Sequence, residues 1–393
     1  MLAKLAPILG ITFIDILGFS ILIPILPYYV QHFGASKIDV GLLFGVFAFC
    51  QFVAGPLWGN VSDRIGRKSV LIVSQVGAMV GWTMLAFAPT LAWVFVARVV
   101  EGISGGNISV TQAYVADRIE PEERSRAFAY VGAAFSAGFI LGPAAGGYLF
   151  AHLGYQWPFL LAAALQLATL VVTIVALPDE VADRAETSAA VSFWDIVRFF
   201  GDSRVSPLLV QKLAYSLGLY AWFAVFALFL QALLGYGPAE TSYFFALWGV
   251  FSIVFQLFVV GRIVDRLGVR AGSNIGFAVA CAFFVSIPFV HAPFQLVLAM
   301  ALLSFALSLS NATLPALLTD ASPENVRGTV LGVGSSLEAL SGVTMPTLST
   351  SVLTYYGTAW TGAISAGFVF IALVLGLIAQ SRGPGPLAIE RVP

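Results

Sequence analysis

Four ionisable residues, Asp15, Arg98, Glu101 and Glu338, each lie inside a long apolar run, where a charge is expensive. An ionised carboxylate near the centre of a bilayer costs at least about 2.5 kcal/mol unless it is paired or wetted. Such a group holds a proton, finds a cation or faces water, and moving between those conditions is the elementary chemistry of proton exchange. Arg98 and Glu101, three residues apart, share one face of a helix. Either they neutralise each other as a structural pair, or Arg98 alternates between Glu101 and Asp15 and so sets when Asp15 can hold a proton. Glu338 is flanked at helical spacing by Gly334, Ser341 and Gly342. It could bind a cationic substrate or a second proton, or serve as a neutral, hydrogen-bonded packing residue.

These residues must be positioned by membrane-spanning elements. Hydrophobic residues make up 59% of the chain, charged residues only 10%, and mean hydropathy is +0.93, a composition that belongs in a bilayer. Runs long enough for the roughly 20 residues of a span fall near 5–30, 38–60, 69–88, 91–115, 127–150 and 156–177, then near 207–233, 240–262, 271–290, 293–317, 328–353 and 358–380. The runs are continuous rather than alternating, so helices are expected and a barrel is not. At roughly 1.5 Å per residue, Asp15 and Glu338 both come near the midplane of their segments. The expected division is a six-helix half at 1–178, a cytoplasmic linker with a short amphipathic helix at 179–206, a second six-helix half at 207–380 and a disordered cytoplasmic tail at 381–393. Cys50 and Cys281 lie in apolar segments of different halves and imply neither a disulfide framework nor a metal site.

The two halves repeat one another. Gly59-Asn60-Val61-Ser62-Asp63-Arg64-Ile65-Gly66-Arg67-Lys68 returns 202 residues later as Gly261-Arg262-Ile263-Val264-Asp265-Arg266-Leu267-Gly268-Val269-Arg270. Asp117, Pro121, Glu122 and Arg124 likewise find counterparts in Asp320, Pro323, Glu324 and Arg327. Parallel repeats of about two hundred residues point to a transporter. Nearly every Lys and Arg falls on the side that carries these loops, which predicts that side, and both termini, to be cytoplasmic.

The Gly59–Lys68 segment resembles the loop between helices two and three of the major facilitator superfamily. That resemblance implies a major facilitator fold: an all-α membrane protein with twelve transmembrane helices in two six-helix, pseudo-symmetric halves. It also implies a conformational latch made of Gly59, Asp63, Arg64, Gly66, Arg67 and Lys68 with Asp117 and Arg124, echoed by Asp265, Arg266, Arg270, Asp320 and Arg327. Asp63 would face a helix N-terminus of the other half and Arg67 would pair with Asp117. The plainer alternative is a turn that anchors helix ends among the headgroups. Gly138, Gly142, Pro143, Gly146 and Gly147 resemble the antiporter motif of the drug and proton exchangers in that superfamily. Glycines every four residues allow close helix approach, and Pro143 bends a segment that has to rock. Asp15, Gly18, Pro24 and Pro27 resemble the first helix of the twelve-helix tetracycline and multidrug exporters, and Arg98 resembles the buried arginine of the superfamily's fourth helix. Glu101 departs from that pattern, since an uncharged polar residue is usual there.

Several side chains are candidates to line a central cavity: Asn107, Gln112, Gln256 and Asn311 as polar points, with Gln51 beside them, and Trp222, Phe226 and Trp248 as flat apolar walls suited to lipophilic cations. Lys212, near the end of its segment, is expected to snorkel. No phosphate-binding GxxxxGK[ST] loop occurs and no basic patch suggests nucleic acid, so neither ATP nor nucleic acid is an expected partner, and no cofactor or metal is implied. Energy would come from the proton gradient. One charge crossing 100 mV is worth about 2.3 kcal/mol, which sustains a concentration ratio of about fifty-fold. The expectation is therefore a non-enzymatic, proton-coupled exporter of small lipophilic molecules, working by alternating access in a bacterial inner membrane and functional as a monomer. A facilitator for a sugar, siderophore or lipid, and a non-transporting receptor or scaffold on the same fold, are the alternatives.

Overall fold

The computed structural model describes residues 2–105, 121–177, 199–202, 204–322 and 326–381. Within them the chain forms α1 (Leu2–Gln31), α2 (Lys37–Ile65), α3 (Arg67–Ala86), α4 (Leu91–Ser104), α5 (Pro121–Leu153) and α6 (Gln156–Ala176). The second half follows as α7 (Ser206–Leu234), α8 (Pro238–Leu267), α9 (Val269–Ser286), α10 (Pro293–Ala321), α11 (Arg327–Tyr356) and α12 (Thr358–Ser381). No strand occurs among the described residues. Nine of the helices are long and apolar enough, as described, to cross a membrane. Each expected apolar run lies on one of these helices, and the last third of the run at 91–115 falls outside the described residues.

The repeated loop is mostly not a loop. α2 runs through Ile65 and α3 starts at Arg67, so Gly66 alone makes the turn, with φ of 93°. Its counterpart Gly268, between α8 and α9, has φ of 83°. Both glycine N–H groups bond back four residues, to the carbonyls of Ser62 and Val264. A side chain at either position would be strained in this left-handed region, so a one-residue reversal needs glycine in both repeats.

A buried apolar core runs through both halves, which meet mainly along α2 against α11 and α5 against α8, a pseudo-symmetric pair of seams. Both seams lie toward the end of the bundle that carries Gln31 and Gln231. Gly41 and Gly45 of α2 let the backbone of α11 approach: an added Cβ would stand 2.6 Å from the Pro346 carbonyl oxygen or 2.9 Å from that of Val343. On the other seam, Phe139 of α5 meets Trp248 of α8 edge to face at 6.2 Å. Polar ties close the same end. The Tyr28 hydroxyl lies 2.7 Å from Thr241 Oγ1 and 3.1 Å from the carbonyls of Ala227 and Tyr236. Gln31 and Gln231 exchange reciprocal amide hydrogen bonds of 3.0 and 2.9 Å. At the Gly66 end, Asp265, Arg266 and Arg270 are exposed and enter no ion pair among the described residues. The bundle is therefore shut at the Gln31 end.

α8 contains a π-helical turn at Gln256–Val260 that no sequence feature announced. Of the expected linker, 199–202 and 204–206 are described. Phe199 is buried with Val205, Leu209, Leu318 and Val330, so its ring docks on the second half. The rest of the linker and the tail from residue 382 lie outside the described residues.

Candidate functional site

The glycines of α5 are where the two repeats and α1 come together. An added Cβ at Gly138 would come within 2.6 Å of the Phe13 carbonyl oxygen and 2.9 Å of the Leu17 nitrogen, the turn that contains Asp15. One turn on, Gly142 faces the Leu17 carbonyl at 2.5 Å and the Ile21 nitrogen at 3.1 Å, and Gly146 meets Ile21 and Ile25. Ser20 donates across this contact to the Gly138 carbonyl at 3.0 Å. Gly147, on another face, receives Ser242 of α8. α5 thus holds α1 along one stripe and touches the other half along a second, with Pro143 inside the helix between them. Overpacking such a contact costs about 1–3 kcal/mol. Gly142→Val is accordingly expected to lower the thermal midpoint of detergent-solubilised protein by several degrees and to reduce substrate flux at least about tenfold, whereas Gly367→Val, where an added Cβ meets nothing within 4 Å, leaves flux unchanged.

Asp15 is half-buried on α1. Arg98 is fully buried on α4, ion-paired through Nη1 with Glu101 Oε2, and its guanidinium carbon stands 4.0 Å over the ring of Phe47 on α2. Close packing makes this arrangement: a Cβ added at Gly102, one turn beyond Arg98, would stand 2.7 Å from the Phe47 carbonyl oxygen, and one added at Gly81 of α3 would stand 3.4 Å from the Glu101 nitrogen. The pair leaves Arg98 Nε and Nη2 and Glu101 Oε1 buried with no hydrogen-bond partner among the described residues. Of the two readings of Arg98 and Glu101, the paired state is the one present here.

In the second half, Glu338 Oε1 accepts from the Lys212 ammonium, joining α11 to α7. Lys212 is 8% exposed and does not snorkel as expected, because the carboxylate of Glu338 supplies inside the bundle the partner that the headgroups would have supplied outside it. The Glu338 side chain itself stays 39% exposed.

The expected cavity residues scatter. Trp222 is 1% exposed amid Phe226, Phe229, Phe283 and Phe284 at 5.3–5.9 Å, and Phe226 is equally buried against Phe245, so both fill the core of the second half instead of presenting an open wall. Trp248 is at the boundary between halves, stacked near Phe223 at 4.7 Å. Gln256 is exposed on the π turn and Asn311 is exposed on α10. Gln51 donates to the Gly105 carbonyl at 3.1 Å. Asn107, Gln112 and Asp117 lie outside the described residues, as do the side chains of Asp63 and Arg124. Of the latch, Arg67 donates to Ser62, Arg64 and Asp320 are exposed, and Arg327 donates to the Thr319 carbonyl at 3.2 Å. Sequence reasoning passed over Phe47, Tyr28 and the Gln31–Gln231 pair. The last carried a signal, since the two glutamines stand near the ends of the first helix of each half.

The sequence profile of the Major Facilitator Superfamily matches residues 8–271 and again 208–391. The tetracycline resistance protein, class G, of Vibrio anguillarum is 30% identical over 369 residues, covering 89% of this chain and 90% of that protein. Multidrug resistance protein 2 of Bacillus subtilis is 28% identical over 264 residues, 65% of each chain. Among solved structures, the nucleoside transporter NupG superposes with a TM-score of 0.79 over 97% of this chain and 100% of its own, at 14% identity, a likeness of fold alone. Matched by that profile along nearly its whole length and by that relative, the chain belongs to the major facilitator superfamily and is a multi-pass membrane transporter, not an enzyme.

Proposed function

We propose that the chain is a proton-coupled antiporter that exports small lipophilic molecules, cations among them, across a bacterial inner membrane by alternating access. The observation that carries this reading is the seating of the Gly138–Gly142–Gly146 stripe on α1 around Asp15, while the same helix touches the opposite half at Gly147. A change in the charge of Asp15 alters how α1 sits on α5, and α5 is the element that has to rock when the halves exchange access. The similarity to tetracycline and multidrug resistance proteins supports export over uptake. In this reading both termini and the Gly66 end are cytoplasmic, so the closed Gln31 end faces outward. Asp15, Arg98 and Glu101 handle the proton, Glu338 meets the substrate, and the repeated Gly59–Lys68 and Gly261–Arg270 segments latch the cytoplasmic side in the alternate state. No cofactor takes part, and a single chain contains the full pathway.

The test is proton release from unbuffered, detergent-solubilised wild-type protein on adding ethidium and, separately, a neutral amphiphile. Release with either, approaching one proton per bound ligand, is the expected result. Binding without release would overturn proton coupling and favour a facilitator. Absence of both binding and flux would favour the receptor or scaffold reading.

A further inference from the structure

The face of Arg98 is covered by an aromatic ring that belongs to neither the antiporter motif nor the charged set. The Phe47 ring lies under the guanidinium at 4.0 Å and is itself stacked with Phe19 of α1, centroids 5.6 Å apart and planes 25° from parallel. Phe19 is four residues after Asp15 and so projects from the same face of α1. The three groups form a continuous column, cation on ring on ring, running from α4 through α2 to the helix that carries Asp15.

This column answers a question the ion pair leaves open. Arg98 is completely buried, yet Nε and Nη2 have no hydrogen-bond partner among the described residues. Buried donors of a charged group are costly to leave unpaired. A cation over an aromatic face is held there by attraction to the ring, so the Phe47 contact fixes the guanidinium while Nη1 pairs with Glu101 and Nε and Nη2 remain unbonded among the described residues.

We propose that Phe47 is a positioning residue for the proton switch: it seats the Arg98 guanidinium on its ring beside Glu101 and, by stacking on Phe19, makes the arginine's position depend on the position of α1. This rests on the antiporter reading above and adds to it the device by which a movement of α1 reaches Arg98. The titratable groups around that guanidinium are Glu101 on its own helix and Cys50, one turn beyond Phe47 on α2; Asp15 stands on α1, the helix that carries Phe19.

The experiment uses the full chain in proteoliposomes and reads a ratio: ethidium transport driven by an imposed pH gradient, divided by ethidium exchange at equal pH in the same vesicles. The ratio does not depend on how much protein folds, so a merely structural defect leaves it unmoved. Phe47→Met and Phe47→Leu, which keep apolar volume without a ring face, are expected to lower the ratio about tenfold or more, given the strength of a desolvated cation–π contact. Phe47→Tyr, which keeps the ring face, should hold it within about threefold of wild type. Phe49→Leu, two residues away and 55% exposed, is the control and should match wild type. A wild-type ratio near one would overturn the antiporter reading itself. A high wild-type ratio that Phe47→Met and Phe47→Leu preserve, or that Phe47→Tyr loses as fully as they do, would overturn the role of Phe47 and leave the antiporter reading standing.

Discussion

Glu101→Ala is expected to destabilise the protein by about 3–5 kcal/mol, because it leaves the fully buried guanidinium of Arg98 without its counter-ion. The cost is asymmetric. Replacing both members with apolar residues of similar size, Arg98→Met together with Glu101→Leu, removes the uncompensated charge, and such exchanges are often neutral or stabilising. Thermal unfolding in detergent should therefore rank the double variant at or near wild type and Glu101→Ala far below it. Transport should rank them differently: the double variant folds and carries no pH-driven flux. If the double variant retained driven transport, the pair would be structural only, which is the plainer of the two readings the sequence allows.

Asp15→Asn is the second large effect. The amide is nearly isosteric, keeps a hydrogen-bonding group on the half-buried face of α1 and removes only the titration. Ethidium-induced proton release should vanish and pH-driven efflux should fall about fifty-fold, the scale set by losing the roughly 2.3 kcal/mol that one proton carries. Ethidium exchange at equal pH should persist, since neither the seams between halves nor the α5 stripe is touched. Proton release at wild-type stoichiometry from Asp15→Asn would move the coupling site elsewhere, with Glu101 and Glu338 next in line.

How much of this could be read from the residues depends on what kind of information each feature carries. The helices were legible because a span must be long and apolar, and the duplication was legible because Gly66 and Gly268 are held to glycine by the same left-handed turn. The glycine stripe of α5 was legible as a packing surface because small residues every four positions allow close helix approach. Pairings between distant helices were not. Nothing local to Lys212 distinguishes a lysine that snorkels from one that reaches Glu338, 126 residues on, and nothing local to Trp222 separates a core aromatic from a cavity wall. The contact of Phe47 with Arg98 is similarly invisible, since it is decided by how closely Gly102 allows α4 to approach α2.

The reciprocal amide bonds of Gln31 and Gln231 also bear on how the halves find each other. Two identical side chains that exchange both bonds make a locally self-complementary contact, in the way that an isologous dimer interface does. Separately expressed halves, 1–178 and 207–393, therefore have one contact at which either half could recognise its own copy as readily as its partner, and fusion into one chain settles that choice.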